Sequence, residues 1–199
     1  MEKIAINVAL IPPDWVMDKA IEINKKLVSE FSSSLVLGKE ECLPHITLLQ
    51  SVIDMADISK VENIIKQIAG NSSHISLKIT GVKVYCEPQP TSSFDIESNS
   101  ELKKLHKLVV EALSIFRYSE VKKEFFYDEP SNRMVNYVKD FEKEYAFEKY
   151  WPHITLGTGR GEQIEPFEFK VNRLVLARLG SHGTCAKVLH SIELKQTQL

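Results

Sequence analysis

The chain has 199 residues, of which 43% are hydrophobic and 26% charged, with a formal net charge of −2. Disorder needs low hydrophobicity with high net charge, and an integral membrane protein needs an apolar run of ~18 residues; the sequence has neither. A pI of about 6.3 argues against the basic face that a long nucleic-acid track requires.

Residues 3–11 alternate, with Ile4, Ile6, Val8 and Leu10 on one side, and are expected to form a strand. Asn7 and Pro12-Pro13 interrupt and stop this stretch, and no basic segment precedes it, so a secretory signal is not expected. Pro12-Pro13-Asp14 opens a helical pattern to about residue 30, followed by short strands at 35–37 and 45–49. A second helix is read over 54–69, then a hairpin of 74–86 and 91–96 through 87–90. Leu102, Leu105, Leu108, Val109, Ala112, Leu113 and Phe116 mark a third helix. Residues 118–132 lose any period and read as a loop; 133–146 read as a helix and 153–156 as a strand. Two long β patterns, 167–179 and 185–194, close the chain around Gly180-Ser181-His182-Gly183. Antiparallel hairpins with helices packed on them predict an α+β fold, one domain over 1–199. Cys42, Cys86 and Cys185 are odd in number and show no C-x-x-C, which suits reduced thiols in a cytoplasmic protein.

One string occurs twice. Leu43-Pro44-His45-Ile46-Thr47-Leu48-Leu49 and Trp151-Pro152-His153-Ile154-Thr155-Leu156-Gly157 share Pro-His-Ile-Thr-Leu, with His45 and His153 about half the chain apart. A chance five-residue match in a chain this long is roughly a one-in-a-hundred event, so two similar lobes are expected. On a strand, His45 and Thr47 point one way and Ile46 and Leu48 the other; His153 and Thr155 do the same against Ile154 and Leu156. If the lobes face each other, two imidazoles and two hydroxyls converge on one cleft. Imidazoles near neutral pKa can act as acid and base on opposite sides of a reacting centre, while hydroxyl donors hold a growing oxyanion. Phosphodiester chemistry uses this set without a metal. A zinc hydrolase would need a third or fourth ligand at motif spacing, which neither copy supplies; a purely structural repeat would not need matched His-x-Thr pairs.

The doubled string resembles the two H-x-T/S motifs of the two-histidine (2H) phosphoesterases, the 2′-5′ RNA ligase-like or cyclic phosphodiesterase superfamily. The resemblance spans most of the chain. It implies a bilobal LigT-like fold, with two pseudo-symmetric antiparallel sheets and outer helices around a central cleft. It also implies metal-independent, cofactor-free hydrolysis of 2′,3′-cyclic phosphates or 2′-linked phosphodiesters, and in some members joining of RNA ends through a 2′-5′ bond. By motif match, His45 and His153 carry over as acid and base, and Thr47 and Thr155 as phosphate donors. The expected partner is a cyclic nucleotide or an RNA end, taken by a monomer. A catalytically silent nucleotide- or RNA-end-binding module is the alternative.

Secondary candidates for substrate binding are Arg160, in Gly157-Thr158-Gly159-Arg160-Gly161, and the aromatics Tyr127, Tyr150 and Trp151. A flexible strand-ending turn is the plainer reading of the glycine segment. His74, His106, His182 and His190 have no motif partner and read as surface or core residues, and Asp14, Asp18 and Glu22 as a solvated helix face.

Overall fold

Alternation in the first strand builds the first sheet. In the computed structural model, which describes residues 2–31, 33–86 and 89–195, Ile4, Ile6, Val8 and Leu10 enter the main core. Ala5, Asn7, Ala9 and Ile11 fall on the opposite face, and every residue from Ile4 to Ile11 is buried. The elements run β1 (Lys3–Ile11), α1 (Asp14–Phe31), β2 (Ile46–Asp54), α2 (Ile58–Gly70), β3 (Ile75–Cys86), β4 (Pro90–Ile96), α3 (Ser100–Leu113), α4 (Asn132–Glu144), β5 (His153–Thr158), β6 (Phe167–Val171), β7 (Arg173–Leu179) and β8 (Cys185–Glu193). Helix starts follow local capping chemistry: the Asn99 side chain accepts from the Leu102 N–H, and Ser131 from the Met134 N–H. No described helix is long and apolar enough to cross a membrane.

Two four-stranded antiparallel sheets result, ordered β2-β1-β7-β8 and β5-β4-β3-β6. This is the α+β architecture of two related sheets expected from the repeat. Both copies of the repeated string sit on edge strands, β2 and β5.

Three expectations need correction. The lobes are not the two halves of the sequence: the first sheet takes its strands from both ends of the chain and the second from the middle. The β pattern 167–179 is two strands, because β6 pairs with β3 in the second sheet whereas β7, one residue later, pairs with β1 in the first. Residues 35–37 form no strand: Leu35 and Leu37 are buried and Val36 exposed, as alternation requires, but their backbone bonds go to the side chain of Asn24. Two residues of the expected 87–90 link, Glu87 and Pro88, lie outside the described residues. The expected loop 118–132 is irregular up to Ser131 apart from a single 3₁₀ turn at Lys123–Phe125, and Asn132 already opens α4.

Candidate active site

Each copy of the string puts its apolar residues inward and leaves its polar residues partly exposed. Ile46, Leu48, Ile154 and Leu156 are fully buried, while His45, Thr47, His153 and Thr155 are half-buried. His45 stands one residue before β2, and His153 opens β5.

The imidazoles are held in the same way. His45 Nδ1 lies 2.6 Å from the carbonyl of Leu43, and His153 Nδ1 lies 2.9 Å from that of Trp151. In both cases the bond steps back over a proline, Pro44 or Pro152, whose ring keeps the preceding residue extended. A carbonyl only accepts, so Nδ1 carries the proton in each ring and Nε2 keeps its lone pair.

Beyond that, the two surroundings differ. Asn7 Nδ2 donates to His45 Nε2 at 3.1 Å and to the Gly183 carbonyl at 3.3 Å, and Gln50 Nε2 donates to the same carbonyl at 3.1 Å. His45 is thus backed by uncharged amides and by the β7–β8 turn. His153 instead stacks on the Trp151 indole, with centroids 4.2 Å apart. Trp151 Nε1 donates to Asp95 Oδ1 at 2.6 Å, and Lys83 Nζ stands 4.4 Å from the indole centroid. Strand register puts Asp95 opposite His153 and Ser93 opposite Thr155.

Burial depresses the pKa of both histidines. The fall at His45 is partly offset by the Leu43 and Gly183 carbonyls. At His153 burial is again the main cause, and its pKa falls to about 4; the Trp151 carbonyl and Asp95 act against the fall, His45 and Lys83 with it. The effect of His45 on His153 means that the second ring lies within reach of the charge of the first. Among the described residues, Asn7 Oδ1, Gln50 Oε1 and Ser93 Oγ are buried without a hydrogen-bond partner. Asn7 and Gln50 are cross-strand neighbours and Ser93 sits beside Thr155, so all three flank the motif strands. Unmet buried acceptors cost about 1–3 kcal/mol each, and they are common where a ligand or water completes the bonding.

The other candidates fall in different places. Tyr150 is buried, with its ring stacked 3.9 Å from that of His106 and its hydroxyl donating to the Thr47 carbonyl at 3.0 Å. Trp151 has His153 and Lys83 against its ring and Tyr85 edge-on at 5.4 Å. The stacking expected of these two aromatics is therefore taken up by protein groups rather than left open for a base. Tyr127 is exposed beside Asp128, whose carboxylate accepts from Ser181 N and Oγ in the β7–β8 turn. Arg160 is exposed at the end of β5, and Gly159 before it packs beneath the Phe31 ring. Cys42 and Cys185 are free thiols, and among the described residues no three His, Cys, Asp or Glu side chains are grouped to hold a metal ion.

Sequence reasoning missed Asn7, Asp95, Ser93 and Lys83. Only Asn7 left a signal, as the one polar residue in an otherwise apolar run from Ile4 to Leu10.

Among solved structures, the Thermus thermophilus protein TT0787 resembles this chain at a TM-score of 0.63 and 15% identity, over 98% of this chain and 100% of that one. E. coli LigT in its apo form matches at 0.62 and 14% identity with the same coverage, and a phosphoesterase at 0.54 and 13%. LigT has also been solved with NADP⁺, phosphate, 3′-AMP and ATP. No family model matches the chain, and no curated protein matches it in sequence. The fold is LigT-like, as the repeated string implied.

Proposed function

We propose that this chain is a two-histidine phosphoesterase that hydrolyses 2′,3′-cyclic phosphates or 2′-linked phosphodiesters of nucleotides or RNA ends. The observation that carries the reading is the matched pair of imidazoles. Each has its Nδ1–H tied to the carbonyl two residues back, and each is paired with a threonine on the same strand face. The nucleotide and phosphate ligands of LigT lend support.

With both pKa values depressed by burial, both rings are neutral at pH 7 before substrate binds. A phosphodiester anion between them favours the charged form of one ring, so substrate binding draws in the proton that makes an acid of it. The neutral Nε2 then removes a proton from the attacking water as its oxygen bonds to phosphorus. The imidazolium Nε2–H delivers its proton to the departing ribose oxygen as the old P–O bond breaks. The Thr47 and Thr155 hydroxyls donate to the non-bridging oxygens, where charge grows. At the end the two rings have exchanged protonation states, and a second turnover needs one proton moved back through solvent. With a 5′-hydroxyl attacking a 2′,3′-cyclic phosphate in place of water, the same groups serve 2′-5′ end joining. The base takes the 5′-hydroxyl proton as the new P–O bond forms, and the acid protonates the 3′ oxygen as its bond to phosphorus breaks. Tyr127 and Arg160, both exposed side chains, are the candidates for contacts with the rest of the substrate.

Purified protein is tested for turnover of 2′,3′-cyclic nucleotides and of 2′-5′ and 3′-5′ oligonucleotides, with and without EDTA. Turnover that survives EDTA and is lost in His45→Ala and His153→Ala is expected. Binding without turnover would instead identify a silent recognition module, and EDTA sensitivity a metal hydrolase.

A further inference from the structure

The fifth residue of each repeated string is a leucine, Leu48 or Leu156, and the carbonyls of both are held by buried polar side chains from helices. His106 on α3, 1% exposed, has its Nδ1 2.8 Å from the Leu48 carbonyl. Asn24 on α1, 0% exposed, donates through Nδ2 to the Leu156 carbonyl at 2.7 Å. The arrangement is crossed. Helix α1 precedes the first motif in the chain but grips the strand of the second, and α3 precedes the second but grips the strand of the first.

Each side chain also holds the segment that leads into the motif following its own helix. Asn24 Nδ2 donates to the Leu35 carbonyl at 2.9 Å, and its Oδ1 accepts from Leu37 N at 2.9 Å, eight residues before His45. His106 Nε2 accepts from Phe147 N at 2.9 Å, six residues before His153. Phe147 has φ 57°, a left-handed conformation that a phenylalanine adopts only when its surroundings impose it. The stacked Tyr150 adds its hydroxyl bond to the Thr47 carbonyl. Leu48 lies where the β1–β2 register shifts: Val8 pairs with Leu49 and Ala9 with Thr47, so Leu48 is the extra residue of a bulge. His106 therefore fastens the bulged residue beside Thr47.

We infer that Asn24 and His106 are a reciprocal pair of positioning residues, cross-linking the two Pro-His-Ile-Thr-Leu strands and setting the distance between the paired imidazoles. His106 serves this as a neutral ring, one nitrogen donating and the other accepting. In the kinetic readout the inference rests on the phosphoesterase reading; in the exchange readout it does not.

The test uses Asn24→Ala, His106→Phe (which keeps a ring against Tyr150), the double variant and Tyr150→Phe. Kinetics on a 2′,3′-cyclic nucleotide are run well below each melting transition. A misplacement on the order of 1 Å costs about a hundredfold in rate, so kcat is expected to fall about 10–100-fold while KM changes little. The double variant should lose little more than the worse single, because either break frees the same separation. Amide exchange gives the second readout. In His106→Phe the Leu37 amide, held by Asn24 on the far side of the crossing, should exchange faster along with Phe147. In Asn24→Ala the reverse is expected.

Unchanged kcat with only a lowered Tm, losses that multiply in the double variant, or faster exchange confined to the nearer amide would each overturn the inference. If His106→Phe does not fold, Tyr150→Phe carries the same readouts with a smaller kcat loss. A wild type inactive on every phosphoester sinks the phosphoesterase reading and leaves the exchange data to decide the cross-link.

Discussion

The same five residues end in two different electrostatic settings. Around His45 the neighbours are amides and backbone carbonyls, from Asn7, Gln50, Leu43 and Gly183. Around His153 they are an indole, a carboxylate and an ammonium, from Trp151, Asp95 and Lys83. What is repeated is the Nδ1–H anchor, the lone pair on Nε2 and the threonine on the same face. What is not repeated is whatever tunes the proton affinity, and an acid and a base must differ in that respect. A duplicated motif thus acquires two electrostatic settings from its neighbours while the string itself stays constant.

Removal of either ring gives the largest expected effect. His45→Ala and His153→Ala should each lose about 10²–10⁴ in turnover. Groups that act as one unit are strongly non-additive, so the double variant should be about as inactive as the worse single. Steady-state kinetics on the three proteins decide this, and multiplied losses would mean that the two sites work separately.

The second prediction isolates the electrostatic contrast. Asp95 raises the pKa of His153 against the depression caused by burial. Asp95→Asn keeps an oxygen for the Trp151 N–H but removes the charge, so the His153 pKa should fall further while His45 stays put. Asn7→Asp places a carboxylate beside His45 and should raise its pKa by about 1–3 units. NMR titration of the two imidazoles reads both changes directly. The pH dependence of kcat/KM, which reports the free protein, should be a bell on the acid side of pH 6.5, because both rings are depressed from that value. The bell for kcat should lie at higher pH, since the bound phosphate favours the imidazolium. A kcat/KM optimum above pH 7 would break the comparison.

Acid stability follows from the same shifts. Between pH 6.5 and about 4 the unfolded chain binds protons at these histidines that the folded one refuses, so stability rises with pH over this window and is lost as pH falls. The contribution of His153 alone amounts to about 2 kcal/mol at pH 5 relative to pH 8. His106 is shifted in the same direction by burial. Urea midpoints at pH 8 and pH 5 should therefore differ, and saturating phosphate at pH 5 should recover part of the loss.

Much of this was legible in the sequence because two of its signals are strictly local. Period-two alternation placed β1, β2 and β5, and the doubled string placed His45, Thr47, His153 and Thr155 on the exposed faces of two strands. The break at Asn172 was missed because both segments read as β. The sign of it is the change from alternation in β6 to a continuous buried run, Leu174 to Ala177, in β7, and each pairs with a different distant strand. Tyr150 and Trp151 read as open aromatics because nothing near them in sequence announces His106, Asp95 or Lys83. Asn24 and His106 are each a polar residue on an apolar helix stripe, beside Ala20 and Leu27 or Leu105 and Val109. Such a residue signals a buried hydrogen-bonding task, but its partners are 132 and 58 residues away along the chain.

The smallest expected effect comes from the residue that follows each repeated string. After the first it is Leu49, a core side chain; after the second it is Gly157, at φ 141°. A Cβ at Gly157 would lie 3.1 Å from Asn24 Nδ2, the atom that holds the Leu156 carbonyl. The left-handed backbone and the tight approach both oppose a side chain there, whereas the Leu49 position fills core space. Gly157→Ala is therefore expected to cost about 1–2 kcal/mol, read as a lowered urea midpoint with an unchanged slope. A few tenths of a kcal/mol or less would mean that Asn24 can give way without loss. Asn24 would then be too loosely held to position β5, and the two motifs would differ in packing as well as in electrostatics.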